Sequence, residues 1–154
     1  MEKILVSACL LGEKVRYSGR AATCDDPVLL RWLVEGRVVS FCPEVAGGLG
    51  TPRPRAERQA LRVLTDSAVD VTSAFVRGAE RARDVARGHR IRVAILKDGS
   101  PSCGSSYVYD GTFTSARISD VGVTTAMLQQ DHVRVFNESQ LDEAAVYVAK
   151  LEET

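Results

Sequence analysis

KILVSA, residues 3–8, is a short apolar run that leads into Cys9 and a loop, residues 9–26, containing Gly12 and Gly19. A short continuous apolar run bounded by a turn residue is the pattern of a strand buried on both faces. The pattern occurs twice more. RVVSF, residues 37–41, leads into Cys42 and the stretch CPEVAGGLGTPRP, residues 42–54. IRVAIL, residues 91–96, leads into LKDGSPSCG, residues 96–104, which holds Cys103. If the three strands are neighbours in one parallel sheet, Cys9, Cys42 and Cys103 converge on one edge. In open α/β sheets that edge is where ligands bind.

Helical signals lie between these runs. Asp25 or Asp26 ahead of Pro27 reads as an N-cap with proline in the first turn. The helix PVLLRWLVEG then runs to Gly36, a suitable C-terminal residue. Residues 60–72 read as a strand or hairpin turning at Asp66–Ser67. From Ser73 to about Gly88, Ala74, Phe75, Ala79, Ala82, Val85 and Ala86 keep helical spacing against a charged opposite face. Val121 to Gln130 is helical, residues 132–136 form the last strand, and Asn137 or Ser139 caps a final helix. Strands alternating with helices predict an α/β fold. We expect a single domain over residues 1–154, built as a Rossmann-like three-layer sandwich with a mainly parallel sheet and right-handed crossovers. Residues 42–58 and 98–120 are too long for plain connections, and such loops carry function.

The chain has 154 residues, 45% apolar and 26% charged, with 20 basic and 20 acidic side chains. A net charge of zero gives no pull toward large nucleic acids or anionic membranes. No apolar stretch approaches the roughly 20 residues needed to span a bilayer. The start MEKILVSACLLG lacks the layout of a signal peptide, so we expect a cytoplasmic protein. Four cysteines in that setting point to free thiols, ligands or nucleophiles rather than disulfides. There is no CxxC pair and no ferredoxin-type cysteine run, so any site must be assembled by the fold.

Three thiolates with an open fourth position suit an iron–sulfur cluster, with one iron left to act as a Lewis acid. They also suit zinc in a hydrolase, although catalytic zinc usually has a histidine, and His89 and His132 lie outside the motifs. A non-catalytic metal-binding or sulfur-carrying protein would use the same residues. Cys24, in TCDDP, is either an incidental loop cysteine or a fourth ligand. Glu44, set by Pro43 two residues past Cys42, is a candidate general base or a surface glutamate. Gly47, Gly48 and Gly50 suit a pocket wall but match no nucleotide fingerprint. Ser100 and Ser102 flank Pro101 and either hold a substrate heteroatom or serve the turn. Arg16, Arg53 and Arg55 either bind an anionic group bidentately, tune a cluster by neutralising its charge, or remain solvated loop charge. Tyr17, Tyr107 and Tyr109 have rings that stack on flat ligands.

At this point the blocks become familiar. ACLLGEKVRYSG (residues 8–19), CPEVAGGLGTPRPRAE (42–57), LKDGSPSCG and GVTTAMLQQDHVRVFNE (122–138) together resemble the DUF523 family, which includes the thiouracil desulfidases. The resemblance implies a [4Fe–4S] cluster held by Cys9, Cys42 and Cys103. It implies hydrolytic, non-redox removal of sulfur from a small thiolated pyrimidine, 2-thiouracil giving uracil and hydrosulfide. Glu44 would be the catalytic carboxylate, and the catalytic serine would be Ser100 in preference to Ser102. We expect substrate contacts from Gly47, Gly48, Arg53 and Tyr17. One position departs from the pattern: Ser18 stands where an aspartate is expected. Whether the substrate is a free base, a nucleoside or an RNA fragment is left open.

Overall fold

The computed structural model describes residues 1–153. β1 (Ile4–Ser7) passes into a 3-10 turn, Ala8–Leu11. α1 (Pro27–Val34), β2 (Val38–Phe41) and the one-turn α2 (Pro43–Ala46) follow. Next come β3 (Ala56–Gln59), β4 (Arg62–Thr65), α3 (Thr72–Gly88) and β5 (Val93–Leu96). β6 (Val108–Tyr109), β7 (Arg117–Ile118), α4 (Val123–Gln130), β8 (Arg134–Asn137) and α5 (Leu141–Glu152) complete the order.

β2, β1, β5 and β8 lie side by side in that order as one parallel sheet. Successive side chains point to opposite faces. Ile4, Val6, Val93 and Ile95 pack with Leu29 and Trp32 of α1 and with Leu141, Ala144 and Val148 of α5. Leu5, Ala94 and Leu96 pack on the other face with Ala86 of α3 and Leu128 of α4. Burial on both faces is why these strands are unbroken apolar runs. Each fully buried Leu or Ile contributes about 1.5–3 kcal/mol. The result is the expected three-layer α/β sandwich. From β1 the chain steps outward to β2, and from β5 it steps outward in the other direction to β8. The order therefore reverses between β1 and β5, and a crevice opens at their C-terminal ends.

Several local expectations need correction. Asp26, not Asp25, caps α1, its Oδ1 accepting from the Val28 N–H at 2.8 Å. The hairpin turns at Ala60–Leu61, because the register pairs Gln59 with Arg62. Asp66–Ser67 belongs to a second turn leading to an antiparallel bridge between Leu64 and Asp70. Gln140 occupies the N-cap of α5, since Asn137 closes β8, its amide N–H donating to Asp98 and its Oδ1 accepting from the Ser139 N–H at 2.8 Å in the turn before the helix. The loop 42–58 contains α2 and β3, and the loop 98–120 contains the small β6–β7 hairpin. Among the described residues no helix is long and apolar enough to cross a membrane.

Candidate active site

The crevice is a cavity of about 270 Å³. Each cysteine reaches it from the end of a different strand. Cys9 sits in the 3-10 turn after β1, Cys42 is the N-cap of α2 directly after β2, and Cys103 lies in the turn after β5. Adjacent strands are about 4.8 Å apart, so three neighbouring strand ends bring three thiols within one ligand's reach. All three line the cavity and Cys24 does not. Cys24 packs instead against the core on the α1 side of the sheet. All four cysteines are free thiols.

Burial pushes the Cys9 thiol up to about 11, and the nearby Cys42 adds to the effect. Burial likewise raises Cys42 and Cys103, with Glu44, Cys42 and Cys9 each opposing ionisation of Cys103. Cys42 opposes ionisation of Cys9, and both oppose that of Cys103, so a cation shared among the three relieves the burial and the repulsion together. That donor set fits an iron–sulfur centre. Among the described residues no group of three or more His, Cys, Asp or Glu side chains is placed to hold a metal ion. Thiols that each bind a different iron of a cluster stand further apart than the ligands of one ion.

α2 aims Glu44. Pro43 opens this one-turn helix, and a methyl on Gly78 of α3 would overlap the Pro43 carbonyl oxygen. The two backbones therefore meet directly. Glu44 lines the cavity, and Arg53 donates to its Oε2 at 3.1 Å. Burial raises the Glu44 pKa, while the Arg53 charge and hydrogen bond, and the Arg16 charge, pull it back. Although 18% of the side chain is accessible, protein surrounds the carboxylate closely enough for burial to prevail. Arg53 is committed here. Its Nη1 donates to the Gly50 carbonyl and to Thr51, and its Nε is buried without a partner.

Ser100 lines the cavity, whereas Ser102 does not. The Ser100 hydroxyl oxygen accepts from the backbone N–H groups of Ser102 (3.0 Å) and Cys103 (3.1 Å). With its oxygen so engaged, its proton is free to point into the cavity. The catalytic expectation for Ser102 is corrected: that side chain is fully buried, with its hydroxyl 2.7 Å from the Thr124 hydroxyl. The expectations for Gly47 and Gly48 are corrected too, since neither lines the cavity. A methyl on Gly47 would overlap the Ala74 carbonyl oxygen, so this glycine serves the packing of α2 on α3. Gly48, at φ +102°, ends that turn beside Arg77. Leu49 is the residue of this stretch that reaches the cavity, as do Tyr17, Tyr107 and Tyr109.

Among the lining residues not singled out in the sequence are Lys97 and Asp98. Both stand inside LKDGSPSCG. Their partners come from the end of β8, where Lys97 pairs with Glu138 at 2.8 Å and Asn137 donates to Asp98 at 2.9 Å.

A parallel α/β sheet with three thiols, a carboxylate and a serine hydroxyl in its switch-point crevice defines a thiol-centred metalloenzyme architecture. Residues 4–140 match the family of 2-thiouracil desulfurases. The chain belongs to that family. It is 38% identical over 151 residues to the Bacillus subtilis (strain 168) protein YbbK, itself described as uncharacterized, covering 91% of this chain and 98% of YbbK. It is 50% identical to a solved structure described as the [4Fe-4S]-dependent thiouracil desulfidase TudS, with a TM-score of 0.96 over 97% of this chain and 99% of that one.

Proposed function

We propose that this chain is a thiouracil desulfidase that carries a [4Fe–4S] cluster on Cys9, Cys42 and Cys103. The observation behind the residue assignment is the convergence of these three thiols, with Glu44 and Ser100, on one cavity. Net, a thiocarbonyl and one water give a carbonyl and hydrogen sulfide, with no electrons exchanged. When bound, a cluster anchored by three thiolates supplies a Lewis acid with affinity for sulfur.

The chain's own residues supply the rest. The Ser100 hydroxyl donates to a heteroatom of the pyrimidine ring and orients it. Glu44, as the carboxylate, takes a proton from the water that attacks the carbon bearing sulfur, and then holds it for the departing sulfide. Its raised pKa suits both halves of that task, and Arg53 keeps it aimed. Tyr17, Tyr107 and Phe41 wall the crevice with flat apolar surface that suits a planar ring. We take residues 1–154 as one catalytic domain, its location as cytoplasmic, and its partner as a small thiolated pyrimidine rather than a large nucleic acid.

The test is anaerobic reconstitution followed by an assay with 2-thiouracil. One equivalent each of sulfide and uracil per substrate, without added reductant, is the expected result. Cluster-replete protein that releases no sulfide from 2- or 4-thiouracil or their nucleosides would leave a non-catalytic metal or sulfur carrier as the better reading.

A further inference from the structure

Four cationic side chains line the cavity: Arg16, Arg53, Arg55 and Lys97. Three are committed to carboxylates. Arg53 pairs with Glu44 at 3.1 Å, Arg55 with buried Glu57 at 3.4 Å and Lys97 with Glu138 at 2.8 Å. Arg16 differs. Its backbone is fixed, with its N–H donating to the Arg20 carbonyl at 3.2 Å and its carbonyl accepting from Gly19 at 2.8 Å. Its guanidinium makes no hydrogen bond or ion pair with any described residue. Arg16 shares the cavity lining with Cys9 and Glu44, so its unpaired charge stands in the same crevice as the reacting groups.

We propose that Arg16 is the substrate-anchoring cation, its guanidinium fork binding the carbonyl oxygen and adjacent ring nitrogen of the ionised thiopyrimidine. The reason is chemical. A ring N–H beside a thiocarbonyl is acidic because its anion spreads charge over nitrogen, carbon and sulfur. Loss of that proton leaves two neighbouring acceptors on one ring edge, nitrogen and oxygen. Arginine presents paired donors in a plane that match such an edge, and charge strengthens both bonds. Arg53, expected from the sequence to contact substrate, has both Nη groups bonded within the protein, to Glu44, Thr51 and the Gly50 carbonyl, and only its buried Nε is left without a partner. Lysine at position 16 would keep the charge and lose the fork.

Arg16's role presupposes the desulfidase chemistry above, and the test separates the two. Cluster-loaded Glu44→Gln protein, which should bind with turnover greatly slowed, is compared with the same protein carrying Arg16→Gln or Arg16→Lys. Calorimetry reads 2-thiouracil affinity about two pH units above and below the ligand's own pKa. Glu57, Asp98, Lys97 and the thiols are common to all the proteins and cancel in the ratio. Above that pKa, Arg16→Gln should weaken binding roughly ten- to hundredfold, as for a lost charged hydrogen-bond pair, with Arg16→Lys in between. Below it, the three should agree within about threefold. In the Glu44 background, KM should rise while kcat changes little. Equal affinities above the pKa, or an equal loss on both sides of it, overturns the role of Arg16. Wild-type protein that fails to release sulfide overturns the desulfidase reading instead, and the binding comparison still decides Arg16.

Discussion

The Asn137 amide donates to Asp98 Oδ2 at 2.9 Å, joining the C-terminal end of β8 to that of β5. Both residues are buried. Asp98 also accepts from the N–H groups of Gly99 (3.0 Å), Ser105 (3.1 Å) and Ser106 (3.2 Å), and from the Ser106 hydroxyl. One carboxylate thereby closes both ends of the loop that carries Ser100 and Cys103. Asp98→Ala should cost about 3 kcal/mol, since several buried donors lose their acceptor together. Asp98→Asn sets two amide donors against each other at position 137. Pairing it with Asn137→Asp reverses donor and acceptor, and should recover about 1–2 kcal/mol in a double-mutant cycle followed by urea denaturation.

Asp98 also sets a pH dependence. Burial raises its pKa, but the Ser106 hydroxyl and the backbone N–H groups of Ser105, Ser106 and Gly99 together hold it below the usual aspartate value. A group with a lowered folded pKa stabilises fully above its unfolded pKa, about 3.9 for aspartate. That stability is lost as pH falls through the folded value. Wild-type urea midpoints should therefore fall more steeply than those of Asp98→Asn on acidification below about pH 4. Parallel curves for the two proteins would count against this linkage.

Substitution of Cys9, Cys42 or Cys103 by serine should each abolish stable cluster assembly, read as iron and acid-labile sulfide per chain. Cys24→Ser should leave both near wild type, because that thiol packs against the core away from the cavity. Iron loss in Cys24→Ser alone would redraw the ligand set.

Glu44→Gln preserves shape and an acceptor for Arg53 while removing the base. Cluster content should hold, and turnover should fall by roughly 10²–10⁴-fold. Ser100→Ala should lower turnover, because its hydroxyl faces the cavity. Ser102→Ala should cost about 1 kcal/mol through the unpaired Thr124 hydroxyl and leave turnover of the folded protein close to wild type.

Gly78→Ala tests how Glu44 and Cys42 are held. The added methyl has no room beside the Pro43 carbonyl, so α2 must lift from α3. Stability should fall by about 3 kcal/mol, a severe case of overpacking. Iron loading should fall with it, since Cys42 adjoins the displaced turn. Gly88→Ala, at the open end of the same helix, meets no atom within 4 Å and serves as the control.

The strands, the main helices and the three-thiol edge were legible in the sequence because they follow from local patterns. An apolar run such as residues 91–96 must be buried whatever surrounds it, and Pro27 after Asp26 starts a helix unaided. The thiols became readable as a group because parallel strands share one direction, so cysteines at strand ends share one edge. What lay outside local reading were choices made by contacts distant in sequence. Asn137 read as a cap and serves Asp98, 39 residues away. Gly47 read as a pocket wall and is a packing contact for α3, 30 residues along the chain. Ser100 and Ser102 flank one proline and local turn chemistry does not separate them; the docking of their loop on α4 leaves the first in the cavity lining and buries the second against Thr124. The same holds for the arginines: which one remains free depends on which carboxylates the fold brings to the others, and side-chain pairing across a crevice leaves no periodic trace along the chain.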